Sequence, residues 1–248
     1  LLLDGTGSAT LNRLLFGDLA HQHIPVERQA HITGTKGKSY SRQSITGCDR
    51  NGEPMPSRVT DAERLRQEIA YVARRQNGPV FVCGTKGAEE ILAPILPATA
   101  RPGHFGAVRG INAWEECATA VVAGREQVSP QRLEDMSRSF TATDAEPFQV
   151  FGGYVKQSRA RRMRSGEIQP VEVEVHPDPR CQELLEQIRE AEIVQAADRV
   201  RPIFNERSIV LMNELVLDVT YDRILSHEEL VMGGNRYERA WSEKGILP

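Results

Sequence analysis

Residues 31–40 (HITGTKGKSY) have the residue types of a phosphate-binding loop. Glycines there are followed by Lys38 and Ser39, so a strand could end in a turn whose backbone N–H groups surround a phosphate that the lysine neutralises. Such a loop also needs a helix directly after it, because the helix N-terminus adds its dipole. Residues 40–47 show no apolar pattern at helical spacing. The sequence therefore leaves two interpretations open, an ATP-binding loop and a connector that touches a phosphate backbone.

The string GTKGKS (residues 34–39) is similar to the ATP-binding loop of Mur-type ligases. The Walker pattern requires a glycine five residues before Gly37, where this chain has Ile32, but the Mur-type pattern does not require it. That resemblance implies an ATP-dependent ligase anchored on Lys38 and Ser39. The central domain of Mur ligases, with its carboxylate and histidine metal ligands, is not recognisable in the sequence.

Two other segments match a different family. Residues 104–112 read HFGAVRGIN, and residues 195–201 read QAADRVR. The first resembles motif V of superfamily 2 helicases, and the second resembles motif VI (Gln-x-x-Gly-Arg-x-x-Arg), in the order that the family has them. An apolar run at residues 79–83, followed by a glycine turn, fits the region near motif IV. Asp198 stands where motif VI has glycine, and the second arginine comes one position early.

The helicase resemblance implies a role for each of these residues. Helicases bind ATP between two RecA-like domains, and arginines of the second domain stabilise the charge that develops on the transferred phosphate. The resemblance makes Arg199 and Arg201 the arginine-finger candidates and Gln195 an ATP-site residue. The implied motif V turn comprises Arg109, Gly110 and Asn112. ATP and Mg²⁺ would be held mainly by an N-terminal helicase domain of the same chain, because no complete Walker A loop or Asp-Glu box occurs here.

A basic run at residues 156–164 (KQSRARRMR) is the main candidate for contact with DNA or RNA. The predicted phosphate contacts are Lys156, Arg159, Arg161 and Arg162. Arg42 could add a backbone contact, and Tyr154 could stack on a base. A solvated charged surface explains the same residues equally well. The run therefore also supports an alternative function, a non-catalytic nucleic-acid-binding module.

Composition excludes several classes of protein. The formal net charge of −3 argues against a chain that is coated with nucleic acid along its whole length. Four scattered cysteines without a CxxC pair argue against a zinc site or a disulfide framework, and favour the reducing cytoplasm. No apolar run reaches transmembrane length. His21 and His23 lack acidic or cysteine neighbours at ligand spacing, so we predict no metal site.

Strand–turn–helix patterns predict an α/β fold, a RecA-like parallel sheet flanked by helices, with an inserted segment. Predicted strands cover residues 1–3, 24–32, 79–83, 118–123, 171–175 and 209–217. Predicted helices cover residues 9–16, 60–76, 88–92 and 178–201, the last with Asp178 as N-cap and Pro179 as first residue.

The chain opens with an apolar run rather than Met, so we expect a fragment that lacks its N-terminal domain. Four segments follow from this interpretation. They are a crossover (1–22), the first part of the RecA-like domain (23–128), an insertion with the basic run (129–170), and the motif VI helix with a C-terminal strand region (171–248).

Overall fold

The computed structural model describes residues 6–17, 19–22, 24, 26–49, 51–142, 146 and 148–232. The strands are β1 (Ala30–Lys36), β2 (Val80–Gly84), β3 (Ala100–His104), β4 (Thr119–Ala123), β5 (Val155–Met163), β6 (Ile168–Val175), β7 (Arg207–Met212), β8 (Thr220–Tyr221) and β9 (Arg223–Ser226). The α-helices are α1 (Ala9–Phe16), α2 (Arg42–Thr46), α3 (Val59–Arg74), α4 (Lys86–Leu92), α5 (Pro130–Thr141), α6 (Pro179–Ala197) and α7 (His227–Met232). Short 3-10 helices cover Pro56–Arg58, Ala93–Ile95 and Asp198–Val200. The strand predicted at residues 1–3 lies outside the described residues.

Six strands form a parallel sheet in the order β3-β2-β4-β7-β1-β9. Helices cover both of its faces, which confirms the predicted α/β class and is consistent with a RecA-like fold. Central strands of such a sheet are buried on both sides, so they appear in the sequence as unbroken apolar runs. β2 (VFVCG) shows this directly, because all five of its residues are buried.

Alternating side chains of β2 separate the two halves of the core. Val80 and Val82 pack with Leu65 and Ile69 of α3 on one face. Phe81 and Cys83 belong to the other half of the core, which also contains Ile193 of α6. Both helices lie where the sequence predicts them, at residues 60–76 and 178–201, to within one or two positions once the 3-10 turn after α6 is counted.

The start of α6 follows the predicted capping chemistry. The Asp178 carboxylate accepts a hydrogen bond from the backbone N–H of Arg180, and Pro179 occupies the first helical position. The helix continues through the 3-10 turn Asp198–Val200, and the chain then reaches Pro202. This agreement matters for function because α6 carries the segment that resembles motif VI.

The predicted insertion has a regular structure that the sequence did not reveal. Residues 130–141 form α5, and β5 and β6 pair as an antiparallel hairpin whose register runs from Val155↔Val175 to Arg162↔Ile168. The hairpin crosses the predicted boundary at residue 170, and β5 also pairs in parallel with β8. The division of the chain into four segments stays a prediction, and the hairpin joins two of those segments.

A strand predicted over residues 24–32 begins only at Ala30. The last predicted strand, 209–217, ends at Met212 in the structure. In the described part of the chain, no helix has the length and apolar character needed to cross a bilayer.

Candidate functional site

The segment that resembles motif V is bound to α6 by one buried carboxylate. Glu192 of α6 is 3% exposed. Its Oε1 accepts a hydrogen bond of 2.6 Å from the backbone N–H of Gly106, and its Oε2 accepts one of 2.8 Å from Nε of Arg109. A buried carboxylate that receives a main-chain donor and a guanidinium is a charge-assisted connection. Arg109 therefore helps to position the loop, although half of its side chain remains accessible to solvent.

The two segments that resemble motifs V and VI contact each other directly. Nη2 of Arg201 donates a hydrogen bond of 2.6 Å to Oδ1 of Asn112. Gly110 lies between Arg109 and Asn112 with a φ of 72°, a conformation that glycine adopts without strain. The structure thus brings the ends of both segments into contact.

Arg201 has an unusual backbone. Its φ of 56° and ψ of 53° place it in the left-handed region, and it is the one non-glycine residue with positive φ in the described ranges. A side chain there costs about 1–2 kcal/mol relative to the ordinary helical region. Such strain concentrates at functional sites, where the surrounding structure holds it.

Arg199 lies in the 3-10 turn that follows α6 and is half-buried. Its Nε is buried and has no hydrogen-bond partner among the described residues. A buried N–H donor without an acceptor is energetically costly.

Asp198, which stands where motif VI has glycine, pairs with an arginine from a distant part of the chain. Its two carboxylate oxygens accept hydrogen bonds of 2.7 and 2.8 Å from Nε and Nη2 of Arg28, a two-point ion pair. Hydrogen bonding to Asp198 raises the pKa of Arg28 above its ordinary value despite partial burial. The pair fixes the 3-10 turn that carries Arg199. Sequence reasoning missed Arg28, because nothing in the sequence pairs it with a residue so far along the chain.

Gln195 lies apart from the Asn112–Arg201 contact. Its side-chain amide donates to the hydroxyl of Thr6, near the start of the described residues. Among the described residues, no hydrogen bond joins the Gln195 side chain to Arg199 or Arg201. The ATP-site role that the resemblance implies for Gln195 therefore stays a prediction.

A cleft of about 380 Å³ opens beside Arg201. Its other lining residues are Glu115, Phe204 and Asn205. None of these three was a sequence-based candidate. The sequence held one sign of this cleft, the string PIFN directly after Arg201. This string places an aromatic residue, Phe204, next to a polar one, Asn205.

The GTKGKS string does not form a helix-capped loop. Its first three residues belong to β1, where a Cβ on Gly34 would lie 2.8 Å from the Tyr221 ring. The following helix, α2, begins only at Arg42, is five residues long, and starts three positions after Ser39. Lys38 and Ser39 therefore do not sit at a helix N-terminus, which is where a phosphate loop places them.

Lys38 instead takes part in a half-buried ionic cluster. Its Nζ lies 3.5 Å from Oε1 of Glu68 and 3.3 Å from Nε2 of His227, and Nδ1 of His227 lies 2.9 Å from Oε2 of Glu68. Burial raises the pKa of Glu68 to about 7, although Lys38 acts in the opposite direction. Burial and the nearby Lys38 lower the pKa of His227. Burial also raises the pKa of Tyr40 next to this cluster.

The two regions considered for a nucleotide lie at opposite edges of the sheet. Strand β1 runs into Lys38, so this residue lies at the edge formed by the strands' carboxyl ends. Arg199 and Arg201 come just before β7 and so lie near the edge formed by the amino ends. One nucleotide cannot contact both regions, and the two functional interpretations are structurally separate.

Residues 156–163 of the basic run lie in strand β5, where Arg161 is the one buried residue. Lys156 and Arg162 are exposed. Arg162 pairs with Asp218, and Arg159 donates a hydrogen bond of 2.6 Å to Glu186. These partners neutralise much of the positive charge that the sequence suggested.

Arg161, predicted to contact nucleic acid, is instead buried inside the protein. It is 2% exposed and donates hydrogen bonds of 2.7–2.9 Å to the backbone carbonyls of Thr35, Asn213 and Leu215. Its guanidinium also lies over the Tyr221 ring. The position of Arg161 in a strand that alternates inward and outward explains the error, because the sequence does not show which arginines face inward.

Tyr154 and Arg42 complete the predicted nucleic-acid set. The Tyr154 hydroxyl donates to the carbonyl of Val128 at 2.6 Å, which limits the ring's freedom to stack on a base. Arg42 is exposed at the start of α2, close enough to Glu126 to lower the pKa that burial raises there. Within the described residues, no hydrogen bond or ion pair connects Arg42 with the basic strand.

Among the described residues, no group of three or more His, Cys, Asp or Glu side chains could hold a metal ion. His23 lies outside the described residues. Comparison of the chain with protein families, with curated proteins and with solved structures found no match.

Proposed function

We propose that this chain is the second RecA-like domain of an ATP-dependent nucleic-acid helicase or translocase of the cytoplasm. It supplies Arg199 and Arg201 to an ATP site whose phosphate loop and Mg²⁺ ligands belong to an N-terminal domain of the same polypeptide. ATP hydrolysis between the two domains moves the protein along DNA or RNA.

The contact between Asn112 and Arg201 carries this proposal. Two segments that resemble consecutive helicase motifs are far apart in sequence, and a chance match would have no reason to meet in space. The same contact adjoins a cleft and a strained backbone, both of which are common at ligand sites. A parallel α/β sheet is the scaffold that such motifs require.

The place of Arg199 in the turn directly before Arg201 supports a role in catalysis. Arginine fingers act by donating hydrogen bonds to the γ-phosphate as its charge develops, and they are typically worth 10³- to 10⁵-fold in turnover. The Arg28–Asp198 pair holds the turn that carries Arg199. The pair does not use the N–H donors of Arg199. Arg199 is thus positioned on a turn that an ion pair holds.

Mutation of this arginine in the full-length polypeptide tests the proposal. Arg199→Ala is expected to lower nucleic-acid-stimulated ATP hydrolysis by ~100-fold or more while nucleic-acid binding stays largely intact. Arg132→Ala, at an exposed position of α5, serves as the matched control. Unchanged turnover in Arg199→Ala would exclude the arginine-finger role.

The two alternatives predict other results. A Mur-type ligase anchored on Lys38 predicts that this chain alone binds ATP and that Lys38→Ala abolishes the binding. A non-catalytic nucleic-acid-binding module predicts salt-sensitive binding through Lys156 and Arg162 without any effect of nucleotide. The ionic partners of Lys38 and Arg162 weigh against both.

A further inference from the structure

The turn that follows the arginine-finger candidates presents an aromatic ring to solvent. Phe204 is 73% exposed, the highest value among the large apolar side chains that the structure describes as exposed. Single exposed apolar residues are common and mean nothing by themselves. Phe204 differs because its ring forms one wall of the cleft beside Arg201.

Backbone hydrogen bonds hold this turn on both sides. The N–H of Phe204 donates to the carbonyl of Arg201 at 3.1 Å, and the N–H of Gln29 donates to the carbonyl of Pro202 at 2.7 Å. The Arg207 guanidinium donates to the carbonyls of Val200, at 2.7 Å, and of Glu115, at 3.0 Å. The ring therefore belongs to a fixed surface rather than to a free loop, so little order has to be gained when a ligand binds.

The chemistry of the cleft fits one class of ligand. An aromatic face accepts a flat heterocycle, a guanidinium binds phosphate oxygens, and the amide of Asn205 and the carboxylate of Glu115 can pair with the polar edge of a base. The volume of about 380 Å³ falls within the range of small-molecule sites.

We propose that the cleft formed by Glu115, Arg201, Phe204 and Asn205 binds the base of a purine nucleotide, which stacks on Phe204. This inference rests on the proposed function, because the nucleotide would be the one whose phosphates meet Arg199 and Arg201. The motif resemblance assigns no role to Phe204. With this residue the domain would recognise the base of the nucleotide as well as stabilise charge on its phosphates.

Fluorescence tests base stacking directly. Phe204→Trp in the full-length polypeptide places an indole at an exposed position, and the unsubstituted polypeptide provides the background from its own tryptophans. ATP is expected to quench the added emission in a saturable way, whereas inorganic tripolyphosphate, which has no base, leaves it unchanged. CTP is expected to quench less than ATP, because pyrimidines stack more weakly. Equal responses to ATP and tripolyphosphate, or no response to either, would overturn the base site.

Steady-state kinetics of the full-length polypeptide provide the second measurement. Phe204→Ala is expected to raise KM for ATP about ten-fold, the effect of losing one stacked base, with kcat changed by less than about two-fold. Ile203→Ala, the exposed neighbour that does not line the cleft, is the control and should leave KM unchanged. An unchanged KM in Phe204→Ala contradicts the proposal.

The two proposals can fail separately. If ATP quenches the Phe204→Trp variant while Arg199→Ala retains full turnover, the base site stands and the arginine-finger role is excluded. If Arg199→Ala abolishes turnover while Phe204 variants show neither quenching nor a change in KM, the helicase proposal stands and the base site is excluded.

Discussion

Asn112 and Arg201 are 89 positions apart in the sequence, and 2.6 Å separates the Asn112 amide oxygen from a guanidinium nitrogen of Arg201. The loop after β3 and the turn after α6 therefore form one local structure. Movement of either segment is expected to alter the position of the other.

A double-mutant cycle measures that connection. Asn112→Ala, Arg201→Ala and the double variant are expected to give a coupling energy of about 0.5–1 kcal/mol, since the pair is partly exposed and screened by solvent. The measurement is the free energy of unfolding of each variant in urea. Additive effects of the two substitutions would show that the contact does not contribute to stability.

Glu192 provides a second prediction about the same loop. Glu192→Gln keeps the shape of the side chain but removes the charge that Gly106 and Arg109 share. The expected loss is about 1–3 kcal/mol in the free energy of unfolding, because a charged hydrogen bond in a buried position is weakened. Hydrogen exchange should also become faster in residues 105–112 than elsewhere.

Glu116 offers the matched control for this substitution. Its carboxylate is largely exposed and lies 3.7 Å from Arg101. Glu116→Gln should change stability by less than about 0.5 kcal/mol. Equal effects of the two substitutions would mean that Glu192 does not anchor the loop.

Arg161 and Arg162 are neighbours with opposite environments. Arg161→Met leaves three buried carbonyl oxygens without their donors and is expected to cost about 3 kcal/mol or more. Arg162→Met, at an exposed position of the same strand, should stay within about 0.5 kcal/mol of the original protein. Thermal and urea unfolding of both variants check the difference, and similar stabilities would contradict the inward position of Arg161.

The buried Glu68 predicts a pH dependence with a definite sign. Because its pKa rises from 4.5 to about 7 on folding, the folded protein binds a proton more tightly than the unfolded chain in this window. The contribution of Glu68 to the free energy of unfolding therefore falls as pH increases from about 4.5 to 7, by up to roughly 3 kcal/mol. His227, whose pKa is lowered, acts in the opposite direction below its ordinary value of 6.5.

Comparison with Glu68→Gln isolates this effect from the opposing titration of His227. The free energy of unfolding of the original protein, minus that of the variant, should decrease steadily between pH 5 and pH 7. Urea unfolding of both proteins at several pH values measures this difference. Parallel curves for the two proteins would show that the Glu68 carboxyl does not titrate in this range.

Strong local signals predicted much of the fold. The unbroken apolar run at β2 and the Asp178–Pro179 start of α6 both gave elements that the structure contains. Each depends on neighbours within a few residues, so one sequence is enough to identify it. The helix predicted at residues 60–76 corresponds to α3, whose N-cap position is Arg58.

The hairpin of β5 and β6 was not predictable in the same way. Much of β5 is exposed and charged, so its alternation gives no apolar pattern. Its inward-facing Arg161 is satisfied by carbonyls from distant parts of the chain. The candidate site shows the same limit, because the motif segments were visible in the sequence but Arg28, Glu192 and Phe204 depend on contacts that only the folded chain creates.

Strand β1 is placed between two strands that come from the far end of the chain. Ala30 is in register with Arg207 of β7, and Thr33 is in register with Arg223 of β9. During synthesis, β1 therefore leaves the ribosome long before either of its partners exists, and both of its edges stay unpaired until residues 207–226 have been made. Pairing over such long sequence separations slows folding and exposes the nascent strand to association with other chains. The time at which the sheet closes is thus set by the translation of β7 and β9, and a chain truncated before β7 would leave β1 without both of its neighbours.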